Sequence, residues 1–156
     1  MKALKVTGIT FLCIIIAVIA LFVGYEVVGI IANEHAADKQ EKALVGILES
    51  SDADILDSYT FVGNSSGTGN HVDLLTLFIV RAEDISVIEE VLEGAYEETA
   101  AFPLEYFAVI PLSQVTNSYD PYARFVEEMA MPEDMENCYL VSYCNSAPFS
   151  DNIVGH

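Results

Sequence analysis

The sequence predicts an α+β protein in which an N-terminal single transmembrane helix precedes a small antiparallel-rich sheet with two packed helices. Residues 6–25 run for twenty positions without a charged side chain. Beyond them, four short runs rich in aromatic and β-branched residues are interrupted by two helical patterns. The predicted order of elements is therefore helix, β, β, α, β, α, β.

The apolar stretch at residues 6–25 has the length of a bilayer-spanning helix, because twenty helical residues rise about 30 Å. Its Ile, Val, Leu and Phe side chains leave no polar face, so a small protein could not cover it on all sides as a core helix. A cleaved secretion signal is the nearer alternative. Its apolar region is normally shorter and ends in an A-x-A-like pattern, which GYEVVGIIANEH lacks. We therefore expect an uncleaved signal-anchor.

Charge is distributed unevenly along the chain. Residues 1–25 carry only Lys2 and Lys5, whereas residues 26–156 contain all 24 acidic residues and four basic ones, which leaves a net charge of −20. The basic flank predicts a single-pass protein of the cell membrane, with a cytoplasmic N-terminus and an extracytoplasmic C-terminal domain. So acidic a body repels phosphate backbones, and we expect no nucleic-acid partner.

These features divide the chain into four parts. We expect a cytoplasmic tip and transmembrane signal-anchor at residues 1–32, a helical stalk at 33–50, an exported α+β head domain at 51–150 and a flexible tail at 151–156. One stripe at helical spacing, with Leu44 and Leu48 beside it, predicts a short packed helix or a stalk helix in residues 33–50: Ala36, Gln40, Ala43 and Ile47. No Pro separates this segment from the membrane helix, so one helix can continue through both.

The segment KVTGITFLCIII (5–16) resembles the start of a type IV prepilin. The resemblance covers about the first 50 residues, and it implies a short basic leader, cleavage after Gly8 and an apolar helix that continues into a head domain. Two positions depart from that family's pattern. Cys13 stands where the family has a glutamate, and Thr7 rather than a basic residue precedes Gly8.

The first two strands are predicted to form a hairpin. YTFVGN (59–64) and HVDLLTLFIVR (71–81) flank the Gly-containing loop SSGTG (65–69), and the polar run SSDADILDS (50–58) is predicted to lead into them. In the second strand, alternate positions on both faces are apolar. That strand is therefore expected inside a sheet covered on both sides, or with one face buried by a partner.

The clearest soluble helix is ISVIEEVLEGAYEETAA (85–101), which has an apolar inner stripe and an outer face of glutamates. Either Asp84 caps its first turn, or Ser86 and Glu89 form a capping box. Strands are predicted at EYFAVIPL (105–112) and NCYLVSYCN (137–145). Between them, Asp120-Pro121 predicts the start of a second helix that runs through YARFVEEMAM to Pro132.

No group of residues in the sequence has a catalytic or metal-binding signature, so we expect no catalytic, cofactor-binding or metal site. His71 and Asp73 lie on one side of a strand, about 6.6 Å apart along it, but two ligands are only a fragment of a metal site. SSGTGN lacks the Lys and the following helix of a phosphate-binding loop. Glu89, Glu93 and Glu97 recur at i, i+4 on an exposed helix face and not in a calcium loop.

Cys138 and Cys144 are the only cysteines outside the apolar stretch. An exported location permits a disulfide, but six residues of extended strand place the two Cα atoms roughly 20 Å apart. We expect both to be buried, reduced thiols.

The sequence as a whole predicts a membrane-anchored extracytoplasmic accessory or binding domain of the cell envelope, without enzymatic activity or cofactor. Its expected partners are the lipid bilayer, through residues 6–25, and an envelope or membrane protein, with the oligomeric state left open. Two alternatives remain. One is an exported envelope hydrolase with its site near His71, which requires a polar pocket there. The other is a pilin-like subunit cleaved after Gly8.

Overall fold

The computed structural model describes residues 2–65, 71–99, 106–115 and 122–151. The elements, in chain order, are helix α1 (Lys2–Glu49), strands β1 (Asp54–Gly63) and β2 (Asp73–Arg81), helix α2 (Ile85–Thr99), strand β3 (Tyr106–Pro111), short helices α3 (Leu112–Val115) and α4 (Ala123–Val126), and strand β4 (Cys138–Ser146). An α+β fold with a long apolar N-terminal helix and a four-stranded antiparallel sheet is thus confirmed. We call the sheet with the elements packed on it the head.

Helix α1 is unbroken over 48 residues and consists of two halves with different surroundings. In the apolar half, Gly8–Tyr25, every residue is exposed. In the packed half, Glu26–Glu49, residues on one side of the helix are buried: Glu26, Gly29, Asn33, Ala37, Leu44 and Leu48. The helix expected at residues 33–50 is therefore part of α1 and lies against the sheet. By length and composition, α1 can cross a membrane.

The sheet has the strand order β1-β2-β4-β3, and all neighbouring strands are antiparallel. The predicted hairpin is confirmed, with Gly63 opposite Asp73 and residues 66–70 of its loop outside the described part of the chain. Strand β1 begins at Asp54, so the expectation of a polar lead-in through residue 58 was wrong. Ile55 and Leu56 explain the difference, because they pack on opposite faces of the sheet around a β-bulge.

Both faces of the sheet are covered by other parts of this chain, which is the first of the two arrangements expected from the apolar faces of β2. On one face, α1 and α2 supply Leu44, Leu48, Ile88 and Leu92, which pack with Phe78, Val80 and Val141. On the other face, the chain between β3 and β4 supplies Leu112, Val115, Phe125, Val126 and Met129, which pack with Leu75, Leu77, Ile79 and Leu140. Burial of each such side chain contributes about 1.5–3 kcal/mol, so the two layers together stabilise the head.

The second predicted helix was wrong in length, because α4 spans only Ala123–Val126. Asp120 and Pro121, where we expected it to start, lie outside the described residues. After Val126 the backbone hydrogen bonds join residues three apart, as in a 3₁₀ turn. The Ala130 N–H then donates to Asp57 Oδ2 at 2.6 Å. The one-turn helix α3 was not predicted. It forms because Leu112 and Val115, three residues apart, both reach the core.

Helix α2 begins at Ile85 as predicted, and Asp84 caps it. Its Oδ1 accepts hydrogen bonds from the Ser86 hydroxyl at 2.7 Å and from the Ser86 N–H at 2.9 Å. These bonds favour the ionised carboxylate and hold the pKa of Asp84 below its usual value. The first of the two predicted caps is therefore present.

Candidate functional site: the groove between α1 and the sheet edge

A polar contact fixes α1 on the sheet. The Gln40 Nε2 group donates to the Leu74 carbonyl at 3.1 Å and to Thr76 Oγ1 at 3.0 Å. Thr76 is fully buried, and an unpaired hydroxyl there would be costly. These bonds select one rotation of α1 about its axis, and that rotation decides which side chains face the neighbouring strand.

The next residue, Glu41, ties α1 to the edge strand. Its Oε1 accepts the Ser58 hydroxyl at 2.8 Å, and its Oε2 accepts the Thr60 hydroxyl at 3.2 Å. Both oxygens of one carboxylate therefore hold β1 beside the helix.

An open groove of about 730 Å³ lies along this junction. From α1 it is lined by Glu34, Asp38 and Glu41, and from β1 by Ser58 and Thr60. The three carboxylates are four and three residues apart, so they follow one side of the helix. Glu34 and Asp38 are exposed, unlike Glu41. The groove thus presents carboxylates along one wall and hydroxyls along the other.

The chemistry available in this groove is electrostatic attraction of cationic groups. Within the described residues, no three His, Cys, Asp or Glu side chains come together in a way that could hold a metal ion. Carboxylates spaced along a helix cannot fold around an ion as a binding loop does. His35 lines the groove and is exposed.

The structure brings His71 and Asp73 together, with 3.3 Å between His71 Nε2 and Asp73 Oδ1. The second oxygen, Oδ2, accepts the Ser65 hydroxyl at 2.6 Å and the Ser65 N–H at 3.2 Å. In a serine hydrolase the imidazole lies between the serine and the acid. Here the carboxylate lies between the other two, so the geometry is that of a carboxylate anchoring the hairpin loop and not of an activated nucleophile.

Cys138 and Cys144 lie at opposite ends of β4, and no disulfide joins them. Both are buried, as predicted, and they belong to the layer opposite α1. Cys144 Sγ lies 3.8 Å from Ser65 Oγ.

A second polar contact joins α1 to the segment after β4. Asn33 Oδ1 accepts the Phe149 N–H at 2.9 Å, and Asn33 Nδ2 donates to the Phe149 carbonyl at 3.1 Å. The Phe149 ring also packs on Tyr25, with 5.6 Å between the ring centroids. This segment therefore lies where the apolar half of α1 meets the packed half.

Sequence reasoning missed the groove. The helical spacing of Glu34, Asp38 and Glu41 was visible, but it resembled any solvated helix face. Only the packing of α1 on the sheet reveals that this face borders an edge strand.

Comparisons with known protein families, with curated proteins and with solved structures gave no match to this chain.

Proposed function

We propose that this is a single-pass membrane protein whose head lies directly on the extracytoplasmic face of the bilayer as a non-catalytic binding or accessory domain of the cell envelope. The observation that supports this most is the division of α1 into a fully exposed apolar half and a packed half without a break between them. Exposed apolar side chains on all sides of a helix require a lipid or protein environment.

A continuous helix also fixes how far the head lies from the membrane. Tyr25 ends the apolar half, and Asn33, which binds the head, follows only about 12 Å further along the axis. Tyr25 and Phe149 meet at this level, and aromatic side chains are common at membrane interfaces. Glu26, the first charged residue after the apolar half, is buried. The head is therefore held close to the headgroups.

Charge supports the orientation. Lys2 and Lys5 precede the span, and the remainder of the chain has a net charge of −20. Basic flanks are retained in the cytoplasm, which puts the acidic head outside.

Topology is tested by single cysteines in intact cells. Lys5→Cys and Glu93→Cys lie on opposite sides of the span, and Glu93 is exposed on α2. A membrane-impermeant maleimide should label only Glu93→Cys before permeabilisation and both variants after it. The unsubstituted chain is the control, because its cysteines lie in the apolar half or are buried. Labelling of Lys5→Cys alone, or recovery of the chain in the soluble fraction, contradicts the proposal.

A pilin-like subunit is the second candidate, and the unbroken α1 favours it, since the resemblance implies an apolar helix that continues into a head. Cys13 and Thr7 depart from that family's pattern. N-terminal sequencing of the chain purified from membranes distinguishes the two candidates. A mature protein that starts at Ile9 supports the pilin-like subunit, whereas one that starts at Met1 or Lys2 supports the uncleaved anchor.

A further inference from the structure

The outer side of β1 forms one edge of the sheet. The strand order places β1 at an edge, and its partner β2 occupies only its inner side. Among the residues that the structure describes, no backbone group bonds to the outer side of β1. An edge of this kind is a template for an additional strand.

Part of this edge is closed and part is open. At the bulge end, Asp57 accepts the Ala130 N–H, so the chain after α4 adjoins β1 there. At the other end, Arg124 donates to the carbonyls of Asn64 and Ser65. Between these points lies Ser58–Gly63, of which Ser58, Tyr59, Thr60 and Val62 border the groove along α1. Six residues of strand span about 20 Å, which is enough to pair a short extended peptide.

The two sides of this open edge differ in chemistry. Towards α1, alternate side chains of an added strand would face Glu34, Asp38 and Glu41. Away from α1, they would adjoin Tyr59 and Phe61, half-buried rings that lie 6.4 and 5.0 Å from the Phe125 ring. The complementary strand therefore alternates basic and apolar residues.

Charge also argues against a second copy of this chain as the occupant. Two heads, each part of a chain segment with a net charge of −20, would bring the carboxylates of both grooves together. Acidic side chains beside an edge strand suppress self-pairing in this way, and the same charges attract a cationic partner.

We propose that the groove between α1 and β1 binds an extended segment of a partner protein, with alternating basic and apolar residues, as a fifth strand paired to Ser58–Gly63. This inference specifies the class of partner that the proposed function leaves open. It rests on the proposed function only for the side of the membrane on which that partner lies. Peptide binding by the purified chain does not depend on topology, so the two proposals can fail separately.

The test uses the full chain in nanodiscs of zwitterionic lipid and a blocked seven-residue peptide that alternates Lys and Val. Two control peptides are needed. One alternates Glu and Val, and the other keeps Lys and Val but carries N-methyl groups on alternate amides, which removes the backbone donors without changing the charge. Fluorescence anisotropy at low salt measures the affinities. Hydrogen exchange measures the protection of those amides of Ser58–Gly63 that point away from β2.

We expect the Lys–Val peptide to bind and to protect these amides, the Glu–Val peptide not to bind, and N-methylation to weaken binding about tenfold or more. Glu34→Gln with Asp38→Asn should weaken binding about fivefold, because two exposed charge pairs are lost. Glu89→Gln with Glu93→Gln, the matched loss of two charges on the exposed face of α2, should change it less than about twofold.

Four results would overturn the proposal. The N-methylated peptide binds as tightly as the unmodified one, which makes the contact electrostatic only. The two double variants weaken binding equally, which makes it a property of the acidic surface in general. The chain does not bind the Lys–Val peptide, which means that the edge does not take up such a strand. The chain self-associates with protection of Ser58–Gly63, which means that the edge pairs with a second copy.

Discussion

The two halves of α1 share one backbone helix and differ in what surrounds them. In the apolar half every residue from Gly8 to Tyr25 is exposed, whereas in the packed half one stripe is buried against the sheet. The sequence marks the change at Glu26, where charged residues begin. Local propensity keeps the helix continuous. The position of the apolar residues, on all sides of the helix or in one stripe, distinguishes the exposed half from the half that packs on the sheet.

The packed half contains Asn, Gln and Glu, which are absent from the apolar half. Asn33, Gln40 and Glu41 each find partners in the head, and two of them bind backbone carbonyls or N–H groups. In lipid those side chains would have no such partners, and each would carry the cost of an unpaired polar group. Polarity is therefore placed along α1 according to the availability of partners.

The largest effect that separates the halves is expected from truncation of leucines. Leu48 is fully buried between α1 and the sheet, so Leu48→Ala should lower the free energy of unfolding of the head by about 3 kcal/mol. Leu21→Ala, the same change in the apolar half, should leave it within about 0.5 kcal/mol. Urea titration of the full chain in detergent, followed by tyrosine fluorescence, measures both. Equal losses would contradict the division of α1.

A smaller effect is expected at the polar contact nearest the boundary. Asn33→Ala leaves the N–H and the carbonyl of Phe149 without their partner in α1, and it should cost about 2 kcal/mol. The exposed neighbour Glu34→Ala should cost less than about 0.5 kcal/mol. Hydrogen exchange at the Phe149 amide gives a local measurement. Unchanged protection in Asn33→Ala would show that the segment is held by other contacts.

How much of this arrangement the sequence predicts depends on whether local pattern or tertiary packing decides an element. Composition and periodicity alone predict a helix at the twenty uncharged residues, a strand β2 with two apolar faces and a helix α2 with one apolar stripe. All three elements are present. Local pattern does not predict where β1 starts or where α4 ends. Ile55 and Leu56 extend the strand because each face of the sheet offers a site, and Ala130 leaves the helix to bond Asp57.

The arrangement of the candidate site depends even more on tertiary packing. Glu34, Asp38 and Glu41 can be assigned to one helix face from their spacing, and Ser58 and Thr60 to one strand face. Their juxtaposition depends on the rotation of α1, which Gln40 sets through its bonds to Leu74 and Thr76. That rotation is a tertiary property that no local pattern contains.

The smallest effect is expected at the start of α2, which is amphipathic like the packed half of α1 but begins in solvent. Hydrogen bonds from Ser86 lower the pKa of Asp84 in the folded state below its usual 3.8, so the cap stabilises the fold above that pH and is lost as the pH falls through the lowered pKa. Asp84→Ala should therefore lower the thermal midpoint slightly near neutral pH, and its difference from the unsubstituted chain should shrink in acid, where only a neutral carboxyl oxygen accepts the bonds from Ser86. Asp84→Asn, which keeps an accepting oxygen, is the control and should remove the pH dependence while retaining most of the cap. Carboxyl NMR titration measures the pKa directly, and a value at or above 3.8 would contradict the bonding seen at Ser86.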